Sequence, residues 1–444
     1  MKTLIHNAEI VNEGRRFKGA VLIDGDRIEE VFEGDAHIFN FQFSIFNSID
    51  AKGSLLLPGI IDTHVHFREP GLTHKADIRH ESRAALAGGV TSVMDMPNVN
   101  PPTTTPERWQ ERMALGASES RVNYAYYIGA TNSAFDSSFF TPHSSLPPIK
   151  LFMGSSTGNM LVDKREALIR VFRFAAEHDL PIVAHCEDTP RINERMAEAK
   201  QRWGDDPDVV HHPWIRDAEA CYRSSSLAVR LAHETGARLH IAHITTEREL
   251  TLLGGTVTGE VCVPHLLFCD EDYPALGARI KCNPAIKSQK DRDALRQALA
   301  DGRLLTIGTD HAPHLISEKQ GGCQRAASGM PMVQFSLVSM LGLMDEGVLT
   351  LERLVDAMCH QPALLFAIKE RGFIRPGYKA DLVLVKPEVW TLQQSDILSK
   401  CGWSPLEGHT FRWRVWQTYL NGHLAYDHGR MDDQVRGEAL TFDR

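Results

Sequence analysis

The chain of 444 residues contains no apolar run of 18 residues, so no segment is expected to cross a membrane as a helix. It has no basic excess. Its net charge of −9 argues against nucleic acid as a partner, because such binders need a basic face. Its eight cysteines, at 186, 221, 262, 269, 282, 323, 359 and 401, include no CxxC pair. That removes a thiolate zinc ribbon and a disulfide framework, and leaves free thiols suited to the cytoplasm. Residues 1–9 include Glu9 and no apolar core, so no signal peptide is expected. Low-complexity tracts and internal repeats are also missing. What is present is an ordinary globular balance, 43% hydrophobic and 24% charged, with an unusually rich supply of 21 histidines. The length suits one large domain plus an accessory one.

Short β patterns open and close the chain. Residues 3–5, 9–11 and 20–23 read as strands, with Asp24-Gly25 as a turn; residues 381–385 and 418–420 match them, with Asn421-Gly422 as a turn. Chain ends often lie close in space, so 1–52 plus 375–444 are expected to form one small β-sandwich domain. Within 53–374, apolar strand-like runs recur at 55–61, 91–96, 122–128, 149–152, 182–185, 239–243, 260–263 and 304–308. Helical patterns at 165–178, 218–235 and 291–300 separate several of them. Repeated βα units imply parallel strands, and eight imply an α/β fold of the (β/α)8 TIM-like barrel type. Residues 317–329, rich in glycine and alanine, read as a mobile loop where barrel enzymes keep lids.

Chemistry concentrates at the strand ends. Asp62-Thr63-His64-Val65-His66 places two imidazoles two apart on an extended segment, so both face one side. Lys150 interrupts the apolar run 149–152, His185 and His243 end two further runs, and Asp310 follows the eighth. In a parallel barrel these ends converge on one face. A lysine inside an apolar strand loses its proton readily. The neutral amine can take up carbon dioxide and become a carbamate, which acts as a bridging carboxylate. That group could join two metal ions, with His64, His66 and Asp310 on one and His185 and His243 on the other. Imidazole and carboxylate are zinc donors. Each residue alone has a plainer reading: a core histidine, a snorkelling lysine, a helix-capping aspartate. Six such residues at five strand ends favour the metal site.

Their neighbours refine the substrate. Arg68 lies two beyond His66 and offers a planar fork for a carboxylate. Asn98 follows the second run, Asn283 precedes the eighth and His314 follows Asp310, adding anion and amide recognition. A surface ion pair and turn asparagines are the bland alternatives. His240 and His243 are three apart and face opposite ways on a strand, so only one can enter the site; His243, at the strand end, is chosen. His265 reads as either a supporting residue or an ordinary loop histidine.

The segments DTHVHFREPG at 62–71 and GTDHAPHLISEK at 308–319 resemble the paired signatures of dihydroorotases, within the amidohydrolase superfamily. MPN at 96–98, IKLFMGSSTG at 149–158, AHCED at 184–188, HIAHITT at 240–246, GYKADLVLV at 377–385 and WSPLEG at 403–408 are similar to family segments too. The resemblance implies a binuclear zinc barrel that interconverts N-carbamoyl-L-aspartate and L-dihydroorotate. It implies two Zn2+ per chain on His64, His66, Lys150 as N6-carboxylysine, His185, His243 and Asp310. It further implies Arg68, Asn98 and His314 on the substrate carboxylate, Asn283 near the ring, and Asp310 as proton shuttle. A homodimer is expected by analogy. The chain departs from the pattern at His265, where many relatives have two histidines, and at Asn283-Pro284-Ala285, where a second proline is common. The rivals are a hydantoinase, dihydropyrimidinase or allantoinase with the same ligands, or a non-catalytic scaffold, which usually loses ligands. Arg68 and the 310–314 segment favour an acidic substrate.

Overall fold

The computed structural model describes residues 2–34, 47–133, 148–154 and 160–443. The tail of the 149–158 segment lies outside the described residues. Eight parallel strands follow one another along the chain: Ile60–Val65, Val90–Asp95, Asn123–Tyr126 (resumed at Ile128–Gly129), Ile149–Phe152, Ile182–His185, Leu239–Ile241, Val257–Cys262 and Thr306–Gly308. Each is hydrogen-bonded to the next, the third strand through its two pieces. A parallel bridge between Val65 and His311 brings the exit of the last strand back to the first, and His66 N donates to His311 O at 2.8 Å. The Asp62 carboxylate reinforces this seam by accepting from Thr309 N at 3.2 Å and Thr309 Oγ1 at 2.5 Å. The expected barrel is thus formed, with its helices outside.

Short apolar strands build it because both of their faces are covered. Ile149 and Leu151 join the large core between strands and helices, while Lys150 and Phe152 face the barrel mouth. Side chains start the helices as well: Asp77, Asp217 and Ser288 accept from the third backbone amide beyond them, capping Ile78–Ala87, Ala218–Thr235 and Gln289–Ala300.

The run 55–61 is two strands rather than one. Pro58-Gly59 divides it, so that Leu55–Pro58 leaves the barrel and runs antiparallel to Leu382–Thr391. Gly59 N donates to Asp381 O at 2.8 Å, and a Cβ there would lie 2.1 Å from Thr91 Oγ1. The end segments combine, with nine strands hydrogen-bonded in one continuous sheet. Leu55–Pro58 and Leu382–Thr391 are its middle, where the two chain ends meet around Ile10, Leu56, Leu384 and Tyr419. Between Leu382–Thr391 and Thr410–Leu420 the chain makes an excursion, residues 392–409, toward the barrel.

The loop 317–329 is tied down, contrary to the mobile loop expected. The Lys319 ammonium, buried, donates to the carbonyls of Lys281, Ala327 and Gly329 at 3.0, 2.7 and 2.7 Å. Asp206 accepts from the amides of Gly322, Gln324 and Arg325 at 2.8, 2.9 and 3.2 Å. Composition suggested mobility because the loop has little apolar weight; its order comes from polar contacts with distant residues.

Candidate functional site

The mouth of the barrel opens into a small cleft. Its walls include His64, His66, Arg68, Asn98, Lys150, His185, His243, Asn283 and Asp310, together with Phe152, Ala312, Ser328 and Gly329. Of the residues expected from the sequence, only His314 is not on the wall; it stands behind Arg68, its Nε2 3.2 Å from Arg68 Nη2. His240 also points into the barrel, in register with Lys150 through Val183, but lies deeper, bonded to Thr258 Oγ1 at 2.8 Å and Thr306 Oγ1 at 3.2 Å. His243 enters the cleft from beyond the strand end, so simple alternation did not decide between them. His265 is buried against Pro284 O at 3.2 Å.

Three of these residues leave their strands in left-handed backbone: Arg68 at φ 68°, His243 at 36° and Asp310 at 47°. Each such turn costs on the order of 1–3 kcal/mol for a residue with a Cβ, and such residues cluster at functional sites.

The hydrogen bonds set the imidazole tautomers. His64 Nδ1 lies 2.6 Å from Glu260 Oε1 and His66 Nδ1 lies 2.8 Å from Asn98 Oδ1. Both acceptors hold the proton on Nδ1, so each Nε2 presents a lone pair. Those atoms converge on Asp310 Oδ1, at 3.4 Å from His64 and 3.1 Å from His66. On the opposite side, His185 Nδ1 and His243 Nε2 face each other at 3.0 Å. Two donors ~2.0–2.1 Å from one zinc at a tetrahedral angle lie about 3.3 Å apart. All three spacings are close to that value. His64, His66 and Asp310 form a group of three whose ligand atoms lie within 4.8 Å of one another.

Electrostatics agrees with ligation. Burial lowers His66 to about 4 and pushes His185 and His243 down as well, so these rings are neutral donors. Burial opposes the Asp310 charge, but His64, His66 and Lys150 outweigh it and hold the carboxylate far below its usual range. Lys150 is 1% exposed and its ammonium has no hydrogen-bond partner among the described residues. Burial lowers it to about 8, against the pull of Glu260 and Asp310. A buried amine without an acceptor is costly as an ammonium. The donor set therefore fits a metal ion, and Lys150 fits a residue that functions with its charge removed.

Beside this histidine–aspartate cluster is a cationic half. The Arg68 guanidinium, 2% exposed, donates to Pro313 O at 3.2 Å and has no carboxylate within salt-bridge distance among the described residues. Lys75 Nζ lies 3.1 Å from His314 Nδ1, and Arg68 meets the other ring nitrogen. Burial, Arg68 and Lys75 drive His314 well below its usual value, so it is neutral. A neutral imidazole offers only one lone pair, so one of these two cations faces an N–H. Glu318, 2.9 Å from Lys75, offsets part of the charge, as do Asp310 and Asp95 at longer range from Arg68. An entering carboxylate would satisfy it.

The Amidohydrolase family profile matches residues 55–424. The chain belongs to the amidohydrolase family. Among curated relatives of this amidohydrolase, a dihydroorotase of Halobacterium salinarum is 36% identical over 399 residues, covering 88% of this chain and 89% of its own. A dihydroorotase of Lactobacillus johnsonii is 32% identical over 442 residues, 97% of this chain and all of that one (100%). Among solved structures, L-hydantoinase (dihydropyrimidinase) from Arthrobacter aurescens superposes with a TM-score of 0.90 over 99% of both chains at 24% identity. Dihydropyrimidinase from Brevibacillus agri does so at 0.91 over 100% of both, at 22%. At those identities the structural likeness is one of fold.

The amidohydrolase site also uses buried carboxylates that sequence reasoning missed. Glu260 Oε1 accepts from His64 Nδ1 and, at 3.2 Å, from the backbone amide of His243. Gly308 on the neighbouring strand gives it room, because a Cβ there would lie 2.5 Å from Glu260 Oε2. Burial works against its charge, yet His64, His240 and Lys150 hold it at about 2. Glu187 Oε2 lies 3.0 Å from His185 Nε2 and is paired with Arg216. The signal available was the one used for Lys150: a charged residue inside or just beyond an apolar strand.

Proposed function

We propose that this amidohydrolase is a dihydroorotase, which interconverts N-carbamoyl-L-aspartate and L-dihydroorotate, the ring-closing step of pyrimidine biosynthesis. The observation that carries this reading is the buried, carboxylate-free Arg68 guanidinium beside the histidine–aspartate cluster. A neutral cyclic amide leaves that charge unanswered; dihydroorotate answers it with a carboxylate. The dihydroorotases among the relatives point the same way.

His64, His66 and Asp310 would hold one zinc ion, and His185 and His243 a second, with Lys150 as N6-carboxylysine between them. When bound, such a pair supplies a water of lowered pKa and a Lewis acid for the amide carbonyl. Arg68 would bind the substrate carboxylate, with Asn98 beside it and His314 holding the guanidinium from behind, and so fix the ring over the ligand cluster. Asn283, whose Oδ1 is 3.1 Å from His212 Nε2, faces the ring. Asp310 takes a proton from the attacking water and delivers it to the leaving ring nitrogen; in the closing direction it takes the proton from the carbamoyl nitrogen. Unpaired cysteines, seven of them buried, fit a reducing cytoplasm. Assembly as a homodimer rests on family analogy alone.

The test is turnover of L-dihydroorotate by the purified protein, followed in the ultraviolet, with metal content measured on the same sample. Turnover with about two zinc ions per chain is expected. Hydrolysis of dihydrouracil or hydantoin in preference to dihydroorotate would overturn the assignment.

A further inference from the structure

The end sheet is far from the chemistry, yet its excursion at 392–409 reaches the cationic half of the cleft. Trp403, buried, donates its indole N–H to His314 O at 2.7 Å. Its ring also faces the Lys319 ammonium, 5.9 Å from the centroid. A few residues earlier, Lys400 Nζ donates to Thr73 O at 2.6 Å and to Asp77 Oδ2 at 2.8 Å. Lys400 N donates to Glu81 Oε1 at 2.9 Å. The excursion therefore grips both segments that carry the carboxylate-binding groups: 68–81 with Arg68 and Lys75, and 310–319 with His314. Among the described residues it has no hydrogen bond to His64, His66, Lys150, His185, His243 or Asp310.

This division has a physical reason. His64, Lys150 and His185 stand on or at the ends of barrel strands and are fixed by the ladder. His314 stands on a loop that follows the last strand, with its ring against two cations. A neutral ring has one lone pair, so its own hydrogen bonds cannot answer both cations and do not by themselves fix its place between them. The His314 carbonyl, held by a buried indole, fixes the direction of the backbone there. The ring is thereby kept against Arg68.

We propose that Trp403 is a positioning residue for the carboxylate-binding half of the site, and that the end domain thereby sets selectivity for an anionic substrate. This rests on the dihydroorotase reading for its substrate, not for its geometry. The indole acts through His314 and leaves the metal half alone, so substrate binding and metal loading separate.

The experiment compares wild type with Trp403→Phe, which keeps a ring and removes the donor. Trp413→Phe serves as control; that indole donates to Asp345 at 3.0 Å on an exposed face of the end sheet. Trp403→Phe is expected to raise KM for L-dihydroorotate about 3- to 10-fold, the scale of one buried hydrogen bond. Zinc per chain and kcat should stay within about twofold, as should every value for the control. An unchanged KM would overturn the proposal. So would a fall in zinc content parallel to the loss of activity, since that marks a general structural role. If wild type turns over no dihydroorotate, the functional reading has failed. The positioning claim is then decided by thermal stabilisation with succinate as carboxylate probe. A shift seen in wild type and lost in Trp403→Phe supports it; equal shifts, or none in wild type, refute it.

Discussion

His64 keeps its proton on Nδ1 because Glu260 accepts it at 2.6 Å, and the same carboxylate oxygen holds the His243 amide at 3.2 Å. One buried group thus orients a ring in one half of the ligand cluster and the left-handed turn in the other. Glu260→Gln keeps the shape but removes the charge that makes His64 a better donor. Zinc affinity, measured by chelator competition, should fall about 10- to 100-fold, the usual cost of losing a partner behind a ligand. Undiminished affinity would mean that the Glu260 contact is incidental. Lys150 allows a second prediction. Its amine takes up carbon dioxide only when neutral, and its lowered value of about 8 sets the window. Because the folded value lies below the ordinary lysine value of 10.5, the folded state binds fewer protons than the unfolded chain between the two. The metal-free protein should therefore gain stability from this group as pH rises through 8 toward 10.5, and lose it as pH falls. Recovery of activity by metal-free protein in zinc plus bicarbonate should likewise rise steeply from pH 6 to about 8. A flat profile would argue against the carbamate.

Among the elements, the loop 317–329 departs furthest from what its sequence suggests. Asp206 satisfies three of its amides, and Ser328 and Gly329 at its end line the cleft. Asp206→Ala should release the loop without unfolding the barrel. Expected outcomes are new protease cleavage within 317–329, faster amide exchange at 322–325 and a raised KM, with the thermal midpoint lowered by only a few degrees. An unchanged cleavage pattern would show that Lys319 and the Cys323 contacts to Pro207 and Asp208 hold it without Asp206. The contrast with the barrel strands explains what the sequence disclosed. Runs such as 149–152 and 182–185 appear as strands because burial on both faces writes an apolar code into neighbouring residues. A loop tied by Asp206, more than a hundred positions earlier, has no local code. Glu260 escaped for the same reason: its partner His64 is 196 residues away. The clustering of His64, His66, Lys150, His185, His243 and Asp310 at the barrel mouth was readable because they are a few residue types placed at strand ends, a strong constraint on a short list. The division at Pro58-Gly59 was less so, since an apolar run cannot say which of two sheets each half joins.

At the scale of the whole molecule, the barrel and the end sheet share a joint rather than a linker. Asp381 pairs with Arg371, accepts from Asn421 N at 2.8 Å and from Asn123 Nδ2 at 3.1 Å. Asn123 opens the third barrel strand, while Asn421 is the turn residue just after Thr410–Leu420 of the sheet. The excursion with Trp403 adds a second tie on the side of the cleft. Two bodies held by buried polar groups and by the shared turn at Pro58-Gly59 should unfold together. Four of the seven tryptophans, at 390, 403, 413 and 416, lie in the C-terminal segment, so fluorescence reports on the end sheet while far-ultraviolet dichroism weights the helices of the barrel. In wild type the two probes should give coincident denaturant midpoints. Asp381→Ala leaves Arg371 buried with, among the described residues, only Glu438, at 3.0 Å and half exposed, as a carboxylate partner. Breaking such a pair by removing one member costs about 3–5 kcal/mol. If the joint couples the bodies, the variant shifts both midpoints together by that amount. A fluorescence transition that moves ahead of the dichroism would instead show that the end sheet can detach. In that case Trp403 should be lost from the cleft first, and KM for dihydroorotate should rise at denaturant concentrations that leave the barrel folded.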